Sequence, residues 1–181
     1  MIDRLVENLL INRLKDCPAV ALLGPRQCGK TTLAKTLSEN YFDLEQEEER
    51  TRLDVLWNEL TKPGRTSLVV LDEAQSFPPI FPRLRGAIDN GSRILGKFLL
   101  LGSISPSLMK HVSESLAGRL SIVHLSPFIL PELKNKTRKM DKLWFYGGFP
   151  DGGIRKASRY PRWQNDYLSL LSQRDLPNWG I

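Results

Sequence analysis

Short apolar runs alternate with amphipathic stretches along most of this 181-residue chain. The runs predict five strands, at residues 19–23, 41–44, 67–71, 97–102 and 121–125. Between them, apolar residues recur at helical spacing and predict helices over residues 2–15, 30–39, 45–60 and 80–88. Strands that alternate with helices in this way favour a parallel sheet with helices on both faces. The pattern therefore predicts an α/β fold, a three-layer α/β/α sandwich with a mainly parallel five-stranded sheet.

Two of the predicted helices have a definable apolar face. In the helix over 2–15, the residues at helical spacing are Leu5, Leu9, Leu10 and Leu14. In the helix over 45–60, the face is expected to contain Leu53, Val55, Leu56 and Leu60. Such a stripe marks the side of a helix that faces the core.

The segment between the first strand and the next helix matches the phosphate-loop pattern G-x-x-x-x-G-K-[ST]. It reads Gly24-Pro25-Arg26-Gln27-Cys28-Gly29-Lys30-Thr31. Glycines allow the backbone to curl until its N–H groups point inward, Lys30 brings a positive charge, and the Thr31 hydroxyl can ligate Mg²⁺. The alternative is a chance glycine turn before an ordinary helix. The strand–loop–helix context favours a site for a phosphate-bearing ligand.

An acidic pair, Asp72 and Glu73, follows the apolar run at 67–71. In a parallel sheet, ligands collect at the carboxyl ends of the strands, so this pair and the loop should face one site. Asp72 would hold Mg²⁺ directly or through water, and Glu73 could orient and deprotonate an attacking water molecule. Taken alone, such a pair is more often a helix cap or a solvated turn. The loop upstream favours the catalytic interpretation.

Two further polar residues are candidates for the same site. Ser103 follows a strand that should lie beside both the loop strand and the acidic strand, so it could sense the outer phosphate. The alternative is a serine cap for the helix that begins at Ser105-Pro106. Arg119 could act as an arginine finger, in its own site or in that of a neighbour, or form a surface salt bridge with Glu114.

Composition and charge limit the classes of protein that this chain can represent. No apolar stretch approaches the roughly 20 residues needed to cross a bilayer, and the acidic N-terminus has no signal-peptide core, so we expect a cytoplasmic protein without membrane contact. A disulfide between Cys17 and Cys28 would tie up the loop, so free thiols are expected. Basic residues, within a net charge of +6, are densest in 134–142 and 155–162. A solvated linker is favoured there over a nucleic-acid contact.

Aromatic residues crowd the end of the chain. The residues concerned are Trp144, Phe145, Tyr146, Phe149, Trp163, Tyr167 and Trp179. They could pack on the core or on one another, or serve an interface for self-association or for a protein partner.

Three segments together resemble a known group of proteins. They are residues 23–33 around the loop, Leu71-Asp72-Glu73-Ala74-Gln75, and Leu101-Gly102-Ser103 with residues 113–119. The combination resembles prokaryotic predicted ATPases of the AAA+ superfamily, whose AAA domain is followed by a C-terminal domain of unknown function. Residues 146–150 and Arg174-Asp175-Leu176 are also similar to that family. Family members continue beyond this region, so the chain is expected to be a fragment or the product of a truncated gene.

The resemblance implies a P-loop NTPase fold and a role for each matching position. Residues 24–31 and Thr32 would bind the phosphates of ATP, with Lys30 acting in catalysis. Thr31 and Asp72 would form the magnesium site, Glu73 would be the catalytic glutamate, Ser103 a sensor and Arg119 a finger. We expect a P-loop domain over 1–130, followed over 131–181 by a basic linker and the start of an incomplete C-terminal region.

The leading functional hypothesis is a Mg²⁺-dependent ATPase that drives a conformational or assembly change. A small-molecule kinase of the same loop class is the runner-up, although kinases need a lid with several arginines and usually lack a glutamate placed to activate water. A third hypothesis is a nucleotide-gated switch that does not hydrolyse ATP. It could contact nucleic acid through the basic region at 134–162.

Overall fold

The computed structural model describes residues 2–62, 64–90, 94–103, 106–133 and 136–178. All five predicted strands are present within one to two residues of the expected positions. They are β1 Ala19–Leu23, β2 Tyr41–Asp43, β3 Val69–Asp72, β4 Phe98–Gly102 and β5 Leu120–His124.

The strands form one parallel sheet in the order β2-β3-β4-β1-β5. The predicted parallel α/β fold is therefore confirmed. Strand β4 lies between β1 and β3, as expected, and Leu23 at the end of β1 is opposite Gly102. The carboxyl ends of the loop strand, the acidic strand and the serine strand consequently meet at one edge of the sheet.

Helices connect the strands and extend the chain beyond them. Their bounds are α1 Val6–Asp16, α2 Lys30–Leu37, α3 Glu47–Leu60, α4 Ile80–Asn90, α5 Pro106–Ser115, α6 Lys136–Tyr146, α7 Tyr160–Leu170 and α8 Leu176–Asn178. The segment expected to be a basic linker thus contains α6. A π-helical turn, Leu171–Asp175, joins α7 to α8. Among the described helices, none combines the length and apolarity needed to span a bilayer.

The structure divides into two compact units, each with its own packing. We call Leu5–Gly24 with Lys30–Leu125 the sheet unit. The described residues of 1–4, 25–29 and 126–181 form the C-terminal unit. The sheet unit contains all five strands and α1 to α5, whereas the C-terminal unit contains α6 to α8.

Both faces of the sheet are covered. Side chains that alternate along a strand point to opposite faces, and every residue of β1, β3 and β4 is buried. One face packs against buried side chains of α3, α4 and α5. Helix α1 contacts β1, and helix α2 contacts β4. The three-layer prediction is confirmed in the sheet unit.

Parts of the predicted helix faces are wrong. Leu10 is fully buried in α1, but Leu5 and Leu9 are 56% and 48% exposed. In α3, Leu53 and Leu60 are buried, whereas Val55 is 78% exposed. The reason is angular: residues seven apart share a side of a helix, while Val55 lies about 200° around the axis from Leu53. Apolar spacing predicted the helices correctly but not every buried position.

The C-terminal unit has a small core of its own. Phe128, Leu133 and Ile154 are buried together, with Ile2 and Leu143 against them. Beside this core, the rings of Phe149, Trp163 and Tyr167 form what we call the aromatic cluster, with centroids 4.9–5.3 Å apart. Some of the aromatic residues near the end of the chain therefore pack on one another, which is one of the alternatives expected from the sequence. Trp144, in contrast, is 92% exposed. Trp179 lies outside the described residues.

Candidate functional site

The phosphate loop lies between β1 and α2, in the order that the motif requires. Its backbone takes positive φ at two positions, +60° at Gln27 and +102° at Gly29. Glycine tolerates such angles at no steric cost, which accounts for the second motif glycine. Helix α2 begins at Lys30 with no acidic residue in its first turn, so nothing on the helix itself opposes an anion at its N-terminus.

Lys30 is buried at the start of α2, with 6% of its surface exposed. Its Nζ donates a hydrogen bond to the carbonyl oxygen of Gly24 at 3.0 Å. This contact directs the side chain back toward the beginning of the loop. A buried ammonium is costly unless polar groups surround it, and the Gly24 carbonyl is one such group here.

Thr31 and Asp72 are brought together although 41 positions separate them in the chain. The Thr31 hydroxyl donates to Asp72 Oδ2 at 2.6 Å, and the N–H of Glu73 donates to Asp72 Oδ1 at 2.9 Å. Asp72 is 3% exposed. A hydroxyl and a single carboxylate leave most coordination positions to phosphate and water, which is the arrangement that Mg²⁺ prefers in phosphate sites. The residues present therefore fit the implied ion.

Tyr41 is a member of the site that sequence reasoning missed. Its hydroxyl donates to Asp72 Oδ2 at 2.6 Å. Burial, followed by the hydrogen bond and the charge of Asp72, raises the pKa of Tyr41 far above its ordinary value. The phenol therefore stays protonated and remains a donor at any physiological pH. Only the pairing of β2 with β3 could have revealed this contact, because Tyr41 is opposite Val70, two residues before Asp72.

Glu73 follows Asp72 at the edge of the sheet, in a left-handed conformation with φ +48°. Such an angle is uncommon for a residue with a side chain and often accompanies function. The Gln75 Nε2 group donates to Glu73 Oε2. Glu73 is thus placed beside Asp72, as the sequence indicated, with a carboxylate oriented by a second residue.

Ser103 lies directly after β4, and its Oγ is buried without a hydrogen-bond partner. Proteins usually pair a buried hydroxyl of this kind with a ligand or a bound water. The alternative role of a helix cap concerns Ser105, which lies outside the described residues. The sensor interpretation stays a prediction, with the unpaired Oγ as an observation in its favour.

Arg119 is not brought to this edge of the sheet. Its carbonyl oxygen accepts the N–H of Ala19, at the start of β1, so about 16 Å of strand separates it from the loop end. Its guanidinium pairs with Asp89, with Nε 2.7 Å from Oδ1 and Nη2 2.9 Å from Oδ2. The alternative expectation was a surface salt bridge with Glu114. Arg119 does form a salt bridge, but its partner is Asp89. A finger role in a neighbouring copy remains a prediction.

The middle of the phosphate loop belongs to the C-terminal unit and is anchored there by three contacts. Arg26 Nε lies 3.0 Å from Asp175 Oδ1, and Trp163 Nε1 donates to Gln27 Oε1 at 2.7 Å. Arg4 Nη1 donates to the carbonyl oxygen of Cys28 at 2.9 Å. Cys28 itself is buried and forms no disulfide within the described residues, whereas Thr32 is exposed. Sequence patterns did not predict these anchors, since their partners are remote in the chain.

The Arg26–Asp175 pair is expected to contribute to stability. The two side chains are 18% and 8% exposed, so Asp175→Asn would leave a largely desolvated guanidinium without its counter-charge. We expect the free energy of unfolding to fall by about 2 kcal/mol, measured by urea denaturation.

A matched control lies in the same unit. Arg159 and Asp151 also form an ion pair, but their side chains are 56% and 51% exposed. Because water screens such a pair, Asp151→Asn should change the free energy of unfolding by no more than about 0.5 kcal/mol. Equal effects of the two substitutions would contradict a special role for the pair at the loop.

Comparison with known proteins identifies the family. A family model described as an AAA domain matches residues 16–134. Two uncharacterized proteins, Rv2008c of Mycobacterium tuberculosis and Mb2031c of Mycobacterium bovis, are each 37% identical over 174 residues. The matches cover 93% of this chain and 38% of each relative, so the chain spans well under half the length of these curated relatives.

A solved structure shares the fold. The Walker-type ATPase PABY2304 of Pyrococcus abyssi matches with a TM-score of 0.65 and 17% identity, over 98% of this chain and 75% of that one. At this identity the likeness concerns the fold alone. The family model, in contrast, covers more than half of the chain and includes the loop, the acidic pair and Ser103. The chain therefore belongs to the AAA domain family and carries a P-loop AAA-type ATPase domain.

Proposed function

We propose that this chain binds ATP with Mg²⁺ and that the protein hydrolyses it to drive a conformational or assembly change. The observation that carries the proposal is the convergence of Lys30, Thr31 and Asp72 in the sheet unit. Their side chains are buried or partly buried at the carboxyl edge of a parallel sheet, where Thr31 donates to Asp72 and Lys30 donates to the Gly24 carbonyl. Family membership and the order of strand, loop and helix support the same conclusion.

In this proposal, the backbone N–H groups of residues 24–29 and the Lys30 ammonium hold the phosphates of ATP. Thr31 and Asp72 hold Mg²⁺, which would neutralise charge on the phosphates when bound. The hydrogen bonds from Tyr41 and Glu73 to the Asp72 carboxylate fix its orientation before any ligand arrives. Such preorganisation reduces the cost of assembling the site.

Glu73 is the proposed general base. It would accept a proton from a water molecule that attacks the γ-phosphorus, while the bond to the β–γ bridging oxygen breaks. Ser103, at the end of the neighbouring strand, would help to position that water or sense the outer phosphate. The carboxylate's position next to Asp72 supports this division of roles between two adjacent acids.

In this proposal, the energy of hydrolysis would be used by an element that responds to ATP. The curated relatives are much longer than this chain, so an assembly partner, a second copy or a further domain could respond to ATP. An arginine finger from Arg119 of a neighbouring copy would suit such an assembly, since this residue lies far from the loop of its own chain. Nucleic-acid binding by the basic region remains an unsupported prediction.

The decisive test measures ATP binding and phosphate release by the purified chain, with Mg²⁺ and with excess chelator. We expect tight binding and phosphate release that both depend on Mg²⁺. Binding without release would favour a non-hydrolysing switch instead. Transfer of phosphate to an added acceptor, with none released to water, would favour a kinase. Absence of ATP binding would overturn the proposal.

Tyr41→Phe tests the magnesium part of the site. This substitution removes one hydroxyl that orients Asp72 and keeps the ring that packs under Lys35. Loss of a residue that orients a metal ligand typically costs about 10-fold or more in metal affinity. We therefore expect the Mg²⁺ concentration for half-maximal ATP binding to rise by about 10-fold. An unchanged Mg²⁺ requirement would contradict the assigned role of Tyr41.

A further inference from the structure

Gln75 is a polar residue at the edge of the sheet to which neither the motif nor the proposed reaction assigns a role. It lies in a short helical turn, Ala74–Ser76, directly after Glu73. Its Nε2 group donates to Glu73 Oε2. Because an ionised carboxylate can only accept hydrogen bonds, the amide nitrogen must face Glu73, which leaves the amide oxygen for another partner.

The amide oxygen faces the end of β4. A Cβ atom at Gly102 would lie 2.7 Å from Gln75 Oε1 and 2.8 Å from a methyl carbon of Leu108. Residue 102 must therefore be glycine for the amide to approach the strand this closely. Gly102 directly precedes Ser103, so Gln75 approaches the end of the strand that is followed by the candidate sensor.

Two buried side-chain atoms in the described part of the chain have no hydrogen-bond partner. They are Gln75 Oε1 and Ser103 Oγ. Leaving such an atom unpaired is unfavourable, so native structures rarely tolerate it without a ligand or a bound water. Gln75 and Ser103 follow the neighbouring strands β3 and β4, so both unpaired atoms belong to residues at the carboxyl edge of the sheet.

The chemistry of the two atoms restricts that occupant. An amide oxygen is only an acceptor, so it repels the oxygens of an ionised phosphate and requires a donor. A serine hydroxyl can accept or donate. Water satisfies both atoms and can also donate to a carboxylate, whereas a phosphate cannot satisfy the amide oxygen. The occupant that fits the chemistry of both atoms is therefore a water molecule.

We propose that Gln75 is a positioning residue for ATP hydrolysis, an inference that rests on the proposed function. Its N–H group holds the Glu73 carboxylate, and its Oε1 holds the attacking water together with Ser103 Oγ. That water transfers one proton to Glu73, its oxygen forms a bond to the γ-phosphorus, and the bond from phosphorus to the bridging oxygen breaks. Fixing both base and nucleophile accounts for a glutamine whose two polar ends face different groups.

Gln75→Met provides the test, because methionine is similar in length and removes both polar contacts. We expect kcat to fall by about 100-fold, the scale of a misplaced reacting group, while the Kd for Mg²⁺-ATP stays within about 2-fold. The melting temperature should stay nearly unchanged, because methionine keeps the length of the side chain. The matched control is Gln46→Met, which removes an exposed glutamine–carboxylate hydrogen bond to Asp43 and should leave kcat and Kd unchanged.

A purely structural role for Gln75 makes the opposite prediction: a lower melting temperature and weaker ATP binding, with no selective loss of kcat. That result, or an unchanged kcat, would overturn the inference while leaving the proposed function intact. Absence of phosphate release from the wild-type chain would instead overturn the proposed function and this inference with it. The wild-type rate and the ATP titration thus separate the two failures.

A double-mutant cycle tests whether Gln75 and Ser103 hold the same water. Once Gln75→Met has released that water, Ser103→Ala has little left to disrupt, so the double variant should be about as slow as Gln75→Met alone. Fully multiplicative effects of the two substitutions on kcat would show that they act separately and would overturn the shared-water assignment.

Discussion

Lys30→Ala is expected to weaken ATP binding by about 100-fold or more. The lysine is 6% exposed and is held against the Gly24 carbonyl at the start of the phosphate loop. Its charge would meet the phosphates where little water screens the attraction, and truncating one partner of such a pair costs about 2–5 kcal/mol. Calorimetric titration of the purified chain with Mg²⁺-ATP measures this loss directly.

Two further variants make the Lys30 result interpretable. Lys30→Met keeps most of the aliphatic volume, so a similar loss of affinity with an unchanged melting temperature would assign the effect to the charge. Lys15→Ala removes an exposed lysine from α1 and should not change affinity. If Lys30→Ala bound ATP as tightly as the wild-type chain, the loop would not be a phosphate site and the proposed function would fall.

Glu73→Gln is expected to separate binding from turnover. The amide keeps the size of the side chain but cannot accept a proton, so we expect phosphate release to slow by about 1,000-fold with ATP affinity nearly unchanged. The variant should consequently accumulate as a stable complex with Mg²⁺-ATP. Single-turnover phosphate release, measured beside an equilibrium titration, gives both quantities from one preparation.

The control for Glu73→Gln is the same exchange at an exposed position. Glu48→Gln, in the first turn of α3, should leave both rate and affinity as they are. Unaltered turnover in Glu73→Gln would exclude this glutamate as the base. Loss of ATP binding would instead indicate that the charge of Glu73 supports the Asp72 site, and its assignment to water activation would be wrong.

The strands and the chemistry at their ends could be predicted because both are local properties of the sequence. A buried parallel strand has to be apolar on both faces, so the runs that became β1, β3 and β4 are visible without any knowledge of their neighbours. The phosphate loop is likewise contiguous, and its glycines answer a backbone requirement that the φ of +102° at Gly29 illustrates. Asp72 and Glu73 became candidates for the site because of their place at the end of a strand.

Side-chain direction on helices was less predictable. Apolar residues indicated α1 and α3 correctly, yet Leu5 and Val55 face solvent. Exposed leucine and valine are common on protein surfaces, because burial depends on what packs against a helix and not on its sequence alone. Composition also favoured a linker where α6 lies, since charged residues that form good helices look the same as solvated ones.

What the sequence by itself determined was the parallel α/β fold, the phosphate loop and the adjacent acids, all of which depend on neighbours in the chain. Only the tertiary structure decided the contacts between remote residues: Tyr41 on Asp72, Gln75 against Gly102, Asp175 on Arg26, and Arg119 with Asp89. Strand order and chain packing set which of these side chains meet, and no local pattern encodes that order. The motif thus specifies which groups could act on a phosphate, and packing determines which further groups orient them.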